Sequence, residues 1–499
     1  MEYILEVLKY MFSLQGILLL VVGVAVGILG GAMPGISSTM TVALISTMTY
    51  GMEPLPAITL LAACAVGSTY GGSISATVLN IPGTPASAAT AMEGNPLTRQ
   101  GHGSMALSIN AISSAFGNTV GVVLLLITMP VMTAISMKFG TQEMFWFAIF
   151  GVVICAQLSK GDFIKGLIGA VLGLLLGCVG LDPIYGVARY TFGSTYLADG
   201  IPLIPAMVGV FGMSEVFKML TDPSIEPVTV KQTKFFEFKE FWKYKWTALR
   251  VSIMGFLIGA IPGVGSNVAS WVGYDHAKSS SKHPERFGNG AVDGLVGSEA
   301  ANNACVPGTY APLLSLGVPG DGVTAIVLGV LIMQGVQPGP TFISKNPSWL
   351  YQIALAMFLA GIVFLILGVF VGRGIIKMLG APMPVIMAIV TILCIVGSYG
   401  YNNRIQDVYL MFFFGLLGYL MSKFKFPSAP LILGIILGGS MVDKNLRRGL
   451  VTAKMDFTVF LTRPICIVMI ILILFLLFQG FVRPALKRRK EQKDAASGE

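Results

Sequence analysis

The chain has 499 residues, of which 54% are apolar and only 11% charged, and its mean hydropathy is +0.78. That balance excludes an ordinary soluble domain and reads as a polytopic membrane protein. The net charge of +9 does not point to nucleic acid, because the basic residues gather in two segments without aromatic interleaving or a recognised module.

The amino terminus lacks a basic region followed by a short apolar core and a small-residue cleavage site. Its apolar run, Leu14 to Gly30, leads straight into a Pro-Gly break and is read as a retained membrane helix. Runs able to cross hydrocarbon, about 20 residues each, lie around 14–33, 53–79, 105–135, 142–159, 162–181 and 199–220. A second series lies around 247–265, 292–317, 322–337, 350–378, 383–400, 405–423, 427–441 and 459–481. Several are short or interrupted, so the expectation is an all-α polytopic membrane protein with about 10–12 transmembrane helices. Between the two series, residues 221–246 form a linker rich in Lys, Glu and Phe. Residues 1–220 and 247–481 are then two repeats, and 482–499 a charged tail.

Orientation follows from the basic residues of short loops. The linker carries Lys231, Lys234, Lys239, Lys243 and Lys245, and the tail carries Arg483, Lys487, Arg488, Arg489, Lys490 and Lys493. Both are expected in the cytoplasm. The amino terminus has only Lys9, so the first half is expected to enter from the other side, which gives the two repeats inverted topology with broken or re-entrant helices.

One pattern is written twice. The first copy reads Gly31-Ala32-Met33-Pro34-Gly35 and then Asn80-Ile81-Pro82-Gly83-Thr84-Pro85; the second reads Gly259-Ala260-Ile261-Pro262-Gly263 and then Gly317-Val318-Pro319-Gly320-Asp321-Gly322. From Pro34 to Pro262 is 228 residues and from Pro82 to Pro319 is 237, so the second copy carries extra residues between its breaks, expected in the hydrophilic stretch His276 to Gly290. Gly67-Ser68-Thr69-Tyr70 and Gly308-Thr309-Tyr310 are read as a further matching pair. Matched helix breaks in two halves of a membrane protein point to a transporter binding site, since unwound backbone frees N–H and C=O groups to hold a solute.

At Asn80 to Ser87 the prolines interrupt the helix, and Thr84 and Ser87 follow where a helix restarts. Hydroxyls and fresh N–H donors there suit a carboxylate, although Thr84 also fits an ordinary cap. In Glu299-Ala300-Ala301-Asn302-Asn303-Ala304 the amides offer donors and carbonyls to a carboxylate or a small cation, or else tie two helices together. Glu299 needs a cavity, a protein partner or the interface. Asp321 either caps the next helix or supplies oxygen to a sodium ion. Ser37, Ser38 and Thr39 after the first break, and Ser266 and Asn267 after its counterpart, complete the set. The candidate substrate-binding residues are therefore Ser37, Ser38, Asn80, Gly83, Thr84, Ser87, Ser266, Asn267, Asn302, Asn303 and Gly320, and the candidate cation ligands Asn303, Asp321 and Thr324. Glu93, Arg99, His102 and the run Asp275 to Arg286 read as loop charges.

Cys64, Cys155, Cys178, Cys305, Cys394 and Cys466 are scattered without a metal or disulfide spacing and read as packing residues. Three histidines, His102, His276 and His283, are too separated for a metal cluster. There is no nucleophile elbow, phosphate loop or metal-binding His pair, so no catalytic residue, metal or cofactor is expected, and transport runs on an ion gradient.

The chain resembles the large membrane subunit, the permease, of the tripartite tricarboxylate transporter family. The matching stretches are Tyr70-Gly71-Gly72-Ser73 through Pro85, Glu93-Gly94-Asn95-Pro96 with Arg99-Gln100-Gly101, Glu299 through Ala304, Pro312 through Asp321, and Gln337-Pro338-Gly339-Pro340. Cys305-Val306-Pro307 departs from the smaller residues expected after the Asn pair. The resemblance implies a multi-pass protein of the bacterial inner membrane, working with a small membrane subunit and a periplasmic solute-binding protein. It implies uptake of organic anions, tri- or dicarboxylates and aromatic acids, coupled to sodium or protons. An anion channel or a non-transporting scaffold is the alternative. A homodimer is left open.

Overall fold

The structure, a computed structural model, describes residues 2–33, 36–80, 82–158, 163–182, 186–221, 238–378 and 383–497. The Pro34-Gly35 break, Ile81 and residues 222–237 of the expected linker, with Lys231 and Lys234, lie outside them. So do the last two residues of the charged tail.

Helices account for nearly all of the described chain. In order they are α1 (Glu2–Met11), α2 (Leu14–Ala32), α3 (Ser38–Ser46), α4 (Pro54–Leu79), α5 (Ala88–Leu97), α6 (Gly103–Ser136), α7 (Thr141–Leu158) and α8 (Phe163–Gly177). A two-residue antiparallel pair, Gly180–Leu181 with Ala188–Arg189, precedes α9 (Thr195–Ala198), α10 (Leu203–Met207) and α11 (Ser214–Thr221). Then come α12 (Phe238–Trp242), α13 (Lys245–Gly259), α14 (Gly265–Ser280), α15 (Val292–Leu316), α16 (Gly322–Met333), α17 (Phe342–Lys345) and α18 (Pro347–Met378). The chain closes with α19 (Met383–Asn402), α20 (Ile405–Lys423), α21 (Ala429–Leu437), α22 (Lys444–Thr452), α23 (Val459–Thr462) and α24 (Pro464–Ser497). Among the described residues eight helices are long and apolar enough to cross a membrane, with four shorter apolar helices besides. The protein is an all-α polytopic membrane protein.

Two compact units divide the chain: Met1–Ser136 with Ile204–Tyr419, and Met137–Leu203 with Leu420–Glu499. Each draws on both halves of the sequence.

In the second unit a charge-balanced group joins α22 to the segment after α8. Arg447 reaches Asp182 at 2.6 Å and Asp443 at 2.8 Å, and Arg189 reaches Asp443 at 3.0 Å. Glu143 of α7 takes Arg463 at 3.1 Å and the Gly140 N–H at 2.9 Å. Paired and hydrogen-bonded charges of this kind tolerate burial that single ones do not.

Small residues build the first unit. In lipid there is no hydrophobic drive between helices, so glycines that let backbones touch set the contacts. A Cβ added at Gly31 of α2 would lie 2.1 Å from the Ser68 carbonyl of α4, and one at Gly255 of α13 would lie 2.2 Å from the Ala301 carbonyl of α15. Only glycine fits at either crossing. α4 and α15 are consequently buried over almost their whole length.

The two halves repeat these contacts at constant offsets. Gly71 lies against the Ile28 carbonyl as Gly308 lies against that of Phe256, and Gly83 lies against the Gly31 carbonyl as Gly320 lies against that of Gly259. α4 and α15 both end on a left-handed residue, Asn80 at φ 57° and Gly317 at φ 71°. This geometry pairs Gly71 with Gly308, and so corrects the sequence match of Gly67-Ser68-Thr69-Tyr70 with Gly308-Thr309-Tyr310 by one helical turn. The tyrosines differ accordingly: Tyr70 stacks on Phe364 of α18 at 4.7 Å, while the Tyr310 hydroxyl is buried without a partner among the described residues. Between α14 and α15 the second half carries a longer connection, Ser281 to Ala291, than Thr47 to Glu53 between α3 and α4.

No disulfide joins the six cysteines, which are buried except for the half-buried Cys178. That agrees with packing.

Candidate functional site

The broken segments restart their helices in the same way. Thr84 and Ser87 form a capping box before α5, with the Ser87 hydroxyl donating to the Thr84 carbonyl at 2.8 Å and accepting the Thr84 N–H at 3.3 Å. Asp321 and Thr324 form another at α16: Asp321 Oδ1 accepts the Thr324 N–H at 2.8 Å and its hydroxyl at 2.7 Å, and the Asp321 N–H donates to Thr324 Oγ1 at 2.9 Å. Such boxes satisfy N–H groups that a helix start leaves open. Thr84 and Ser87 are buried, and Thr84 fills the space that a side chain on Gly72 would need.

Within the second half the two breaks touch directly. The Gly263 N–H donates to the Gly320 carbonyl at 2.9 Å, with Gly263 at φ 81°. A Cβ on Gly265 would lie 3.0 Å from that of Asp321. The halves also meet crosswise. α3 is capped by Ser37, whose hydroxyl accepts the Met40 N–H at 3.1 Å, and Thr39 of its first turn sits against Gly322 at the start of α16. α14 packs on the turn Pro85–Ser87. Helix starts from both halves are thereby gathered, with Ser38 half-buried beside Ser37 and Ser266 half-buried at the start of α14. Asn80 and Asn267 are exposed.

Deeper in the unit, α15 carries Glu299, Asn302 and Asn303, all buried. Glu299 lies inside the protein, held by groups from three helices of the first half. Ser73 of α4 donates to Oε2 at 2.6 Å, Ser114 of α6 to the same oxygen at 2.8 Å, and Thr90 of α5 to Oε1. The Asn303 amide donates to the Glu299 carbonyl at 3.1 Å and reaches Oε2 at 3.5 Å. Among the described residues every hydrogen-bond partner of this carboxylate is neutral. Next to it, Asn110 donates to Thr77 Oγ1 at 2.6 Å and to the Ser73 carbonyl at 3.4 Å.

The two adjacent amides are not equal. Asn303 uses its nitrogen and leaves Oδ1 free, whereas both Nδ2 and Oδ1 of Asn302 are buried without a partner among the described residues. Leaving a buried polar group unpaired costs about 1–3 kcal/mol, so natural interiors pair nearly all of them. Pro307, inside α15, has no N–H to give to the carbonyl four residues earlier, that of Asn303. At the 237-residue offset Glu299, Asn302 and Asn303 correspond to Ala62, Ala65 and Val66. The polar set belongs to one half alone.

Glu93 departs from its reading as a loop charge. It is fully buried, and its carboxylate accepts the Tyr274 hydroxyl at 2.7 Å and the N–H groups of Gly288, Gly290 and Ala291 at 2.6, 2.8 and 2.7 Å. It fixes the connection before α15. Gly288 and Gly290 take φ of 92° and 97°, the left-handed conformation that turns their N–H groups onto one carboxylate. Arg99 and His102 are exposed, but they lie on the kinked helical turn Thr98–His102 that joins α5 to α6 and not on a loop.

Among the described residues no three His, Cys, Asp or Glu side chains come together as a metal site. The candidate residues thus fall into two groups: helix starts gathered at the breaks, and the amides of α15 beside Glu299. Sequence reasoning missed Ser73, Thr90 and Ser114 as site residues, because α4, α5 and α6 carry other polar side chains and the sequence does not say which of them face Glu299.

No solved structure matches the chain. It is 36% identical over 446 residues, 89% of each chain, to an uncharacterised 52.8 kDa protein encoded in the TAR-I ttuC' 3' region of Agrobacterium vitis. It is 37% identical over 211 residues, 42% of this chain and 87% of the other, to an uncharacterised protein of the TAR-II ttuC' 3' region of the same organism. The family model described as Tripartite tricarboxylate transporter TctA family matches residues 17–433.

Proposed function

We propose that this chain, which belongs to the Tripartite tricarboxylate transporter TctA family, carries organic anions into the bacterial cell across the inner membrane as the permease of a three-part system. A small membrane subunit and a periplasmic solute-binding protein are its partners, and the binding protein delivers the substrate. The substrates are tri- or dicarboxylates, with aromatic acids as a further class, and a cation gradient drives uptake. It is a carrier and not an enzyme.

The observation that carries this reading is the buried Asn302 amide, both of whose polar atoms lack a partner among the described residues. A solute carboxylate accepts from its nitrogen, and a hydroxyl or protonated carboxyl of the solute donates to its oxygen. N–H groups at the starts of α3 and α16 add further donors, each with the favourable end of a helix dipole. Asp321 and Thr324, occupied with each other, frame the site. Two halves of opposite orientation exchange access on its two sides, with the linker and tail in the cytoplasm.

The test is uptake of a panel of labelled carboxylates in a strain lacking the chain and complemented with it. Accumulation against a concentration gradient that collapses when the ion gradient is abolished supports a carrier. Equilibration without accumulation identifies a channel, and no uptake of any member by the complemented strain overturns transport.

A further inference from the structure

We propose that Glu299, with Ser73, Thr90, Ser114 and Asn303, is the binding site of the coupling cation, and that the cation is sodium. This rests on the carrier reading above and names the residues that make it ion-coupled.

Charge comes first. Glu299 is buried in a membrane protein, and every hydrogen-bond partner it has among the described residues is a neutral hydroxyl or amide. A buried carboxylate in that position is costly and marks an ion pathway or a relay. One monovalent cation removes the imbalance.

The donor set is the second argument. Hard cations take oxygen ligands, and this cluster offers a carboxylate and three hydroxyls, each of which keeps its lone pairs after donating its proton. Asn303 supplies the independent observation. It is 1% exposed, its nitrogen is directed to Glu299, its Oδ1 has no partner among the described residues, and Pro307 withdraws the helical donor from its main-chain carbonyl. A residue that turns its amide nitrogen to a carboxylate and leaves its amide oxygen open is suited to help coordinate a cation.

Position is the third. The hydroxyls come from α4, α5 and α6 of the first half and the carboxylate from α15 of the second. A cation here ties both halves together. Asn302, one residue from Asn303, keeps its amide for the solute, so ion and solute sites adjoin on one helix. Their occupancy is coupled by contact.

Sodium is the probe, and stability the readout, since a ligand that binds only the folded state raises the melting temperature with concentration. The purified full chain in detergent is heated in sodium chloride and in choline chloride at equal ionic strength. Sodium is expected to raise the melting temperature of the wild type and to leave Glu299→Gln unmoved. Ser114→Ala, which keeps the carboxylate, is expected to raise the sodium concentration for half the effect about tenfold, and it stands in if Glu299→Gln does not fold. Equal stabilisation by choline, or an unchanged sodium response in Ser114→Ala and in a folded Glu299→Gln, overturns the site. Uptake separates this from the carrier reading. A sodium response without transport of any carboxylate overturns transport and leaves the ion site, while sodium-independent uptake overturns the ion site and leaves transport.

Discussion

The Gly263 N–H donates to the Gly320 carbonyl at 2.9 Å, so the two breaks of the second half are one structure. Each second break also approaches the end of the helix before the first: a Cβ at Gly83 would lie 2.1 Å from the Gly31 carbonyl, and one at Gly320 2.9 Å from that of Gly259. Gly83→Ala and Gly320→Ala are therefore expected to overpack the contact, lowering stability by about 1–3 kcal/mol. Gly400→Ala, in open space, is the matched control. Thermal unfolding of the purified variants checks the difference, and equal melting temperatures for all three would refute it.

Asn302→Leu separates stability from function. Removing an unpaired buried amide relieves about 1–3 kcal/mol in the empty protein, so the variant is expected to melt no lower than wild type. Its uptake is expected to need at least tenfold more substrate, since a lost hydrogen bond to a charged group is worth about 1.5–3 kcal/mol. A variant with normal half-saturation assigns the amide to structure.

Asn303→Ala tests the neighbouring group. Half-saturation for substrate or for sodium is expected to rise about ten- to a hundredfold with the protein still folded. An Asn that only staples helices behaves in the opposite way, lowering thermal stability with both half-saturations unchanged.

Glu93 predicts a local effect. Gln at this position keeps one acceptor and loses the charge that gathers three backbone N–H groups, at about 1.5–3 kcal/mol. The connection before α15 carries Lys282 and Arg286, both exposed, so Glu93→Gln is expected to be cut there by trypsin faster than wild type. Tyr274→Phe removes one donor and is expected to fall between the two. Identical digestion rates would show that the carboxylate does not hold the loop.

Topology has its own measurement. Single cysteines at Lys239 and Lys490 in a cysteine-free chain are expected to resist an impermeant thiol reagent added from the periplasmic side, because both lie in basic segments. Strong labelling of either reverses the orientation.

The paired breaks were legible in the sequence because proline and glycine announce unwound backbone, and because two copies at offsets of 228 and 237 residues are improbable by accident. The Asn pair was legible for a similar reason, as amides in an apolar helix. Glu93 was not, because the acceptors of a carboxylate cannot be read from a hydrophilic string, and its donors lie near residue 290 in the chain. The partners of Glu299 were hidden in the same way: Ser73, Thr90 and Ser114 stand on three helices that carry other polar side chains as well, so nothing in the string singles them out. The tyrosine match misled by one turn because residue identity was compared where close backbone approach decides the register.

The frame is duplicated but its charge is not. Where α15 has Glu299, Asn302 and Asn303, the equivalent turns of α4 have Ala62, Ala65 and Val66, whose side chains offer neither a proton donor nor an oxygen. The two halves share a backbone pattern, yet they do not share roles. A lesion at Glu299 therefore has no second copy to fall back on: duplication gives the helix contacts a counterpart and the acidic locus none.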